Sequence, residues 1–407
     1  MLNNKIIIFH LFPLLIGIAV LVFLKDKIDQ YQIQKFPLQI NSINELPPAD
    51  HFYINNLTQQ LSFSYALAKG IPVLIGSSEL TSAHLKALAQ NYFTKKKQKI
   101  FCLGHAGFQS LAILTVLAAN KNLLKNSKLI INLSPGWFEK QYAGGTSLNS
   151  FLEFCPPNYL YQLLNDTLLD TGTKYYIFNF INREYEKITA ADVLIRIAAK
   201  SYYTFPLNYL YTPFSYLNQN ILKCRIQNDF YLTSQNFIIN KMKADHYDNY
   251  NLTCGNENWD SLFSSSQKAF ALISNNNNIA VENNYYNKWL KNKPKKHLTA
   301  VEENCNIELK DFKALLNFLK INNCAPLFVL MPLNTNAHEN LKVMEPTFNI
   351  VLQMLKENNL TTLNMFSPNL KTYQNGVLED IMHPGNYGWY QIDKFISDNY
   401  CEQNRRK

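Results

Sequence analysis

The sequence predicts an α/β fold: a parallel β-sheet covered by helices on both faces. Three observations lead there. Short, continuous apolar runs occur at 72–76 (PVLIG), 100–103 and 129–133 (LIINL), as strands buried on both sides read. Stretches of helical apolar spacing separate them, and the same alternation returns at 309–366. Parallel strands need such crossover connections, so the alternation itself implies the sheet type.

The elements follow in order. Residues 6–24 form a nineteen-residue run without Asp, Glu, Lys or Arg, which as a helix spans about 28 Å, close to the hydrocarbon thickness of a bilayer. It ends in Lys25-Asp26-Lys27 with no small-x-small site after it, so it reads as an uncleaved transmembrane anchor, residues 1–24 being the N-terminal end and the span, an end that the family resemblance given below makes cytoplasmic. The Lys and Asp residues on its two flanks leave its sidedness open. A tether follows over 25–70, and the domain proper over 71–407. A helix is expected at 83–93, capped by Ser82. Another, apolar almost all round and therefore buried, is expected at 109–124. Leu309, Phe312, Leu316 and Leu319 predict a helix before the run at 326–331, and a further helix at 341–356 leads into 360–366. Between the two halves, residues 138–305 are Tyr- and Asn-rich without strand rhythm, which predicts a helical insertion on the same domain. Its helices include 190–199, and 274–279 (SNNNNI) reads as a loop.

Composition excludes several classes. Of the 407 residues 17% are charged, against about 25% in average proteins, and the abundant Tyr and Phe exclude a disordered chain. The net charge of +9 is spread over clusters at Lys95–Lys97 and Lys99, at Lys291, Lys293, Lys295 and Lys296, and at Arg405, Arg406 and Lys407. No nucleic-acid-binding motif accompanies them. They read as solvated loops, with attraction to anionic lipid or a polyanion as the alternative. Seven cysteines, none in a CxxC pair, show no metal-ligand spacing, and no cofactor is expected. Cys102 and Cys324, within or beside apolar runs, read as buried thiols.

In an open α/β sheet ligands bind beyond the carboxyl ends of the strands, so the residues after each apolar run matter most. These are Gly76-Ser77-Ser78-Glu79, then Gly104-His105-Ala106-Gly107-Phe108, then Ser134-Pro135-Gly136-Trp137, and near the end Asp380-Ile381-Met382-His383. A hydroxyl, an imidazole, a carboxylate and glycine turns with free backbone N–H groups are the parts of nucleophilic acyl transfer. Two residues between Asp380 and His383 let one loop hold both, the carboxylate orienting the ring toward the serine. Of the remaining histidines, His84, His246, His297 and His338 read as surface residues. His105 reads as a turn residue or a support of the site, and Trp137 and Trp389 as core residues or walls of an acyl pocket.

The blocks GSSEL (76–80), GHAGFQSL (104–111), LSPGWF (133–138) and DIMHPGNYGWY (380–390), with the N-terminal span, resemble the DltD family, membrane-anchored relatives of the SGNH hydrolases. The resemblance implies a flavodoxin-like SGNH sheet and an extracytoplasmic, membrane-tethered domain that moves D-alanyl groups onto teichoic-acid hydroxyls. It implies Ser78 as nucleophile, with Asp380 and His383 completing the triad. The N–H groups of Ser78 and Gly107 would face the oxyanion, with Glu79, His105 and Trp137 as candidates to line the substrate. Its implied partners are a membrane O-acyltransferase, a D-alanyl carrier system and a polyanionic envelope polymer, but no nucleic acid. One position departs: relatives carry Asn or Gln where this chain has Gly136, so that amide donor is missing unless the N–H of Gly136 or Trp137 turns inward. An envelope esterase or thioesterase using the same triad, and a non-catalytic scaffold for an acyl-transfer partner, are the alternative readings.

Overall fold

Alternate side chains of the central strands point to opposite sides of one sheet, and each side meets its own helices. The computed structural model describes residues 16–17, 57–82, 84–155, 157–188, 252, 257–367 and 373–401. Strands β1 (Val73–Ile75), β2 (Phe101–Leu103), β3 (Leu129–Leu133), β4 (Leu327–Leu330) and β5 (Thr362–Asn364) pair in parallel in the order β2-β1-β3-β4-β5. This 2-1-3-4-5 order is the flavodoxin-like doubly wound arrangement, with its switch point between β1 and β3.

On one face Val73, Ile75, Phe101, Ile131, Phe328 and Leu330 pack against α1 (Leu57–Ala68), α3 (Ser110–Ala119), α9 (Ile307–Ile321) and α10 (Glu345–Glu357). On the other, Leu74, Cys102, Ile130 and Val329 pack against α2 (Ala89–Lys95) and α11 (Asn386–Tyr400). Strands covered twice need apolar side chains at nearly every position, which is why they read as near-continuous runs. Strand β5, at the edge, is half-buried at Thr362 and Leu363 and exposed at Asn364. Cys102 and Cys324 are buried.

The described part of 138–305 holds helices and no named strand. Helices α4 (Leu148–Phe154), α5 (Pro157–Asn165) and α6 (Thr171–Arg183) join the α3 side of the core. Helix α7 (Trp259–Ile273) brings Trp259 and Leu262 to the α11 side. A short α8 (Asn283–Tyr285) runs into a π-turn at Tyr286–Leu290. The predicted helix at 190–199 lies outside the described residues. So does the 6–24 span apart from residues 16–17, which are helical; among the described residues no helix is long and apolar enough to cross a membrane.

Three predicted helices differ in extent, each for a visible reason. The one expected at 83–93 starts only at Ala89, and Ser82 is not its cap. The Ala87 N–H is diverted to Asn386 Oδ1 at 3.0 Å, and the Ser82 hydroxyl is used elsewhere. Helix α3 is fully buried on every side but ends at Ala119, where Asn120 closes it by donating from Nδ2 to Val116 O. The helix expected from 341 opens with a 3-10 turn, Leu341–Met344, and becomes α-helical at Glu345, with Pro346 in its first turn, a position where proline loses no hydrogen bond.

Candidate active site

Strand β1 ends at Ile75, and the chain turns through Gly76 and Ser77 into a 3-10 turn, Ser78–Thr81. Gly104, after β2, lies so close that a Cβ there would fall 1.9 Å from Gly76 O, and its φ is +143°. Only glycine permits that approach and that backbone. The two strand ends are thereby pressed together, and the half-buried Ser78 stands at the carboxyl edge of the sheet beside the switch point.

His383 meets Ser78 there. Its Nε2 lies 2.9 Å from Ser78 Oγ, and its Nδ1 lies 2.6 Å from Asp380 Oδ2. A carboxylate oxygen only accepts, so Nδ1 carries the proton and Nε2 is left to accept from the serine. Asp380 is itself fixed: Oδ1 accepts from the N–H groups of Met382 and His383, at 2.8 and 2.7 Å. The two intervening residues thus make a tight turn in which one carboxylate oxygen orders the backbone and the other orders the ring. Burial opposes a charge on His383. The hydrogen bond and charge of Asp380, with the charges of Glu79 and Glu379, outweigh it and hold the imidazole above its usual pKa.

Ser77 is turned away from His383. It is buried, its hydroxyl donates to His105 O at 3.3 Å, and its N–H donates to Glu79 Oε1 at 2.8 Å. Glu79 is 4% exposed and folds back under the nucleophile turn. Burial raises its carboxyl above the usual range, against the pull of the Ser77 N–H, its own N–H and His383. It therefore braces the turn. His105 contributes its carbonyl to Ser77 and to the N–H of Phe108.

Gly107 adopts φ +89°, and a Cβ there would strike Ser150 Oγ at 2.3 Å, so its turn also requires glycine. That turn feeds α3, whose N-terminus has no side-chain cap of its own. Glu308 of α9, wholly buried, supplies one: Oε1 accepts from Ser110 N and Oγ at 3.0 and 2.6 Å, and Oε2 accepts from Gln109 Nε2 at 3.2 Å. An acid at a helix N-terminus satisfies donors the helix leaves open. Burial, then the neighbouring charge of Asp311, pushes the Glu308 carboxyl well up.

Gly136 lies in the 3-10 turn Pro135–Phe138 after β3. It is not among the left-handed glycines, and the Trp137 N–H donates to Ser134 O at 3.1 Å. The inward turn of Trp137 N–H is therefore not what the structure holds. Trp137 and Trp389 are 5% and 0% exposed and lie in the core. His338, expected at the surface, is 4% exposed and donates from Nδ1 to Asn334 O at 2.7 Å; burial lowers its pKa. His84 and His297 are exposed, and His246 lies outside the described residues.

Two residues that sequence reasoning missed hold the site together. Glu379, next to Asp380, accepts from Ser82 Oγ at 2.7 Å and faces His84 Nε2 at 3.1 Å. This links the nucleophile turn to the loop of Asp380 and His383. Asn334, after β4, donates from Nδ2 to Ile279 O at 3.0 Å and to Asp380 O at 3.4 Å. The rule of reading polar residues after each apolar run reaches Asn334 when applied to MPLN (331–334) as well. A groove of about 480 Å³ opens past β4 and β5, walled by Leu333, Met365, Phe366, Tyr373, Gln391 and Lys394. Burial, then the charge of Asp380, pushes the Tyr373 phenol up. Among the described residues no three His, Cys, Asp or Glu side chains gather as metal ligands would.

Fold and site together define a doubly wound α/β protein with a Ser–His–Asp constellation at the carboxyl edge of its sheet. The chain belongs to the DltD family: the family model, described as DltD protein, matches residues 50–400, nearly the whole chain. No curated protein matches it. Family membership ties the chain to the D-alanylation of teichoic acid, a system in which the DltD family acts with other Dlt proteins.

Proposed function

We propose that this chain is a serine acyltransferase of SGNH type that passes D-alanyl groups to hydroxyls of a teichoic-acid-like polymer through Ser78, His383 and Asp380. The observation that carries the reading is the continuous series Ser78 Oγ–His383 Nε2, His383 Nδ1–Asp380 Oδ2 at the edge where doubly wound sheets bind ligands. Ser78 Oγ attacks the carbonyl carbon of an activated D-alanyl ester or thioester while its proton passes to Nε2. Collapse of the tetrahedral intermediate expels the leaving group, which takes that proton, and leaves an acyl-serine. An acceptor hydroxyl then gives its proton to Nε2 and attacks the same carbon; the bond to Ser78 Oγ breaks, Oγ takes the proton back from Nε2, and the new ester is formed. The N–H groups of Ser78 and Gly107 are the donors assigned to the oxyanion. Water in place of the acceptor gives hydrolysis by the same steps, so transfer is the reading favoured by the family and not by the triad.

The soluble part is assigned to the outer side of the cytoplasmic membrane, tethered by the apolar run at 6–24, with a membrane O-acyltransferase and a D-alanyl carrier as suppliers of the acyl group. Protease added to intact spheroplasts should digest it, and protection until lysis would refute the placement. For the chemistry, Ser78→Ala should abolish polymer acylation, a loss on the order of 10⁴ or more for a triad nucleophile. Ser77→Ala should retain most activity, because that hydroxyl is spent on a carbonyl. Wild-type activity in Ser78→Ala would leave a non-catalytic scaffold as the better reading.

A further inference from the structure

Residues 283–301 carry five lysines and no acid. Within them Lys288, Trp289, Lys291, Lys293 and Lys295 are exposed. Trp289 is 49% exposed, and the ammonium groups of Lys288 and Lys293 lie 4.8 and 5.9 Å from its ring centre. The end of α7, which an asparagine turn joins to this segment, is apolar and open to solvent: Leu272 and Ile273 are 75% and 49% exposed. Asparagines close the turn between them, Asn283 Nδ2 donating to Asn275 Oδ1 at 2.9 Å and Asn276 N to Asn283 Oδ1 at 3.1 Å.

This surface is built onto the triad loop. The Glu282 N–H donates to Glu379 O at 2.9 Å. Asn334 bonds both Ile279 O and Asp380 O. Tyr285, one turn before Trp289, lies near enough to Asp380 for that charge to add to the effect of its burial.

We propose that Leu272, Ile273, Trp289 and the lysines from Lys288 to Lys296 dock the domain on an anionic phospholipid surface, with the mouth of the triad at the headgroup layer. The two chemistries decide the occupant. A soluble polyanion would answer the lysines but leave Leu272 and Ile273 against water, and protein interfaces are depleted in lysine. The headgroup zone of an anionic bilayer takes both, since tryptophan prefers that depth and lysines are drawn to its negative surface. The inference rests on the assignment of this domain to a membrane face, and it does not need the triad to be catalytic.

The test uses the full-length protein in vesicles of phosphatidylcholine alone or with phosphatidylglycerol, each carrying a lipid-attached spin-label quencher at headgroup depth. The Trp289 signal is the emission lost in Trp289→Phe. With phosphatidylglycerol it should be quenched. Quenching should disappear when Lys288, Lys291, Lys293 and Lys295 are changed together to Gln, or in 1 M salt, where screening acts within about 3 Å. Turnover of a small water-soluble thioester should match wild type in the lysine variant, which separates loss of docking from loss of the triad. Equal Trp289 quenching in neutral and anionic vesicles would overturn the proposal. So would a Trp289 response in neutral vesicles to added poly(glycerol phosphate) without any response to phosphatidylglycerol, which would make the surface a polymer site.

Discussion

Glu379 accepts a hydrogen bond from Ser82 at 2.7 Å, joining residues 297 positions apart in the chain. Its neighbour Asp380 orients His383, and Ser82 follows the turn that presents Ser78, so this bond sets the approach of base to nucleophile. Ser82→Ala should therefore lower kcat about tenfold with little change in KM, since a hydrogen bond to a charged group contributes about 1.5–3 kcal/mol and small displacements of reacting groups are costly. Glu379→Gln, which can still accept from Ser82, should keep most of the activity that Glu379→Ala loses. Steady-state kinetics on a small thioester, with melting temperatures alongside, would settle it: equal losses in both Glu379 variants would mean the bond does not position the base.

The pH dependence of acylation follows from His383. The imidazole can take the serine proton only when neutral, and it is held above the usual value of about 6.5. Activity should rise with pH through that raised value, so the acid limb of kcat/KM should lie above the ordinary imidazole range. Asp380→Asn removes the hydrogen bond and charge that raise it, and the limb should move to lower pH while kcat falls by about 10⁴. Ring-nitrogen NMR of the free protein should show the same downward move for His383, and an unmoved titration would contradict the assignment.

Gly136 stands where the family resemblance leads one to expect an amide. A Cβ there would meet only Ser134 Oγ, at 3.7 Å, so a β-carbon is accepted without displacing backbone. Gly136→Gln should preserve or raise turnover of a small ester, since an added oxyanion donor is typically worth about 10²–10³ in rate. A loss beyond about tenfold, with the fold intact by circular dichroism, would show that the glycine backbone itself is needed.

Glu308 is a stability prediction. Glu308→Ala would leave the Ser110 N–H and the Gln109 amide without the acceptor they now share, at a cost of about 3 kcal/mol. Ser110→Ala, which keeps the backbone bond, should cost about 1 kcal/mol. Denaturant unfolding would measure both, and a Glu308→Ala variant as stable as wild type would remove the cap from the account of how the Gly107 turn is held.

Much of this fold was readable from local pattern. The run at 129–133 is β3 to the residue, the other strands lie within the runs that predicted them, and the helix expected to be buried on all sides is α3. Helix limits were less readable, because they depend on partners elsewhere. Nothing near residue 87 says that Asn386 will take its N–H. His338 shows the same limit: polar neighbours in sequence suggested a surface position, while the loop after β4 pairs its backbone with Lys296 and sets its ring against Asn334 O.

The sequence by itself determined which chemical groups stand at the strand ends, because strand periodicity and the polar residues that follow each run are local. It also determined the turn of Asp380 and His383, since one carboxylate orders a backbone only two and three residues away. Tertiary structure alone decided that Glu379 would grip Ser82, that Glu308 would cap α3, and that the turn at Ile279 and Glu282 would be tied to the loop of Asp380. Those relationships depend on distance in space and on exclusion of water, and neither quantity exists until the chain has packed.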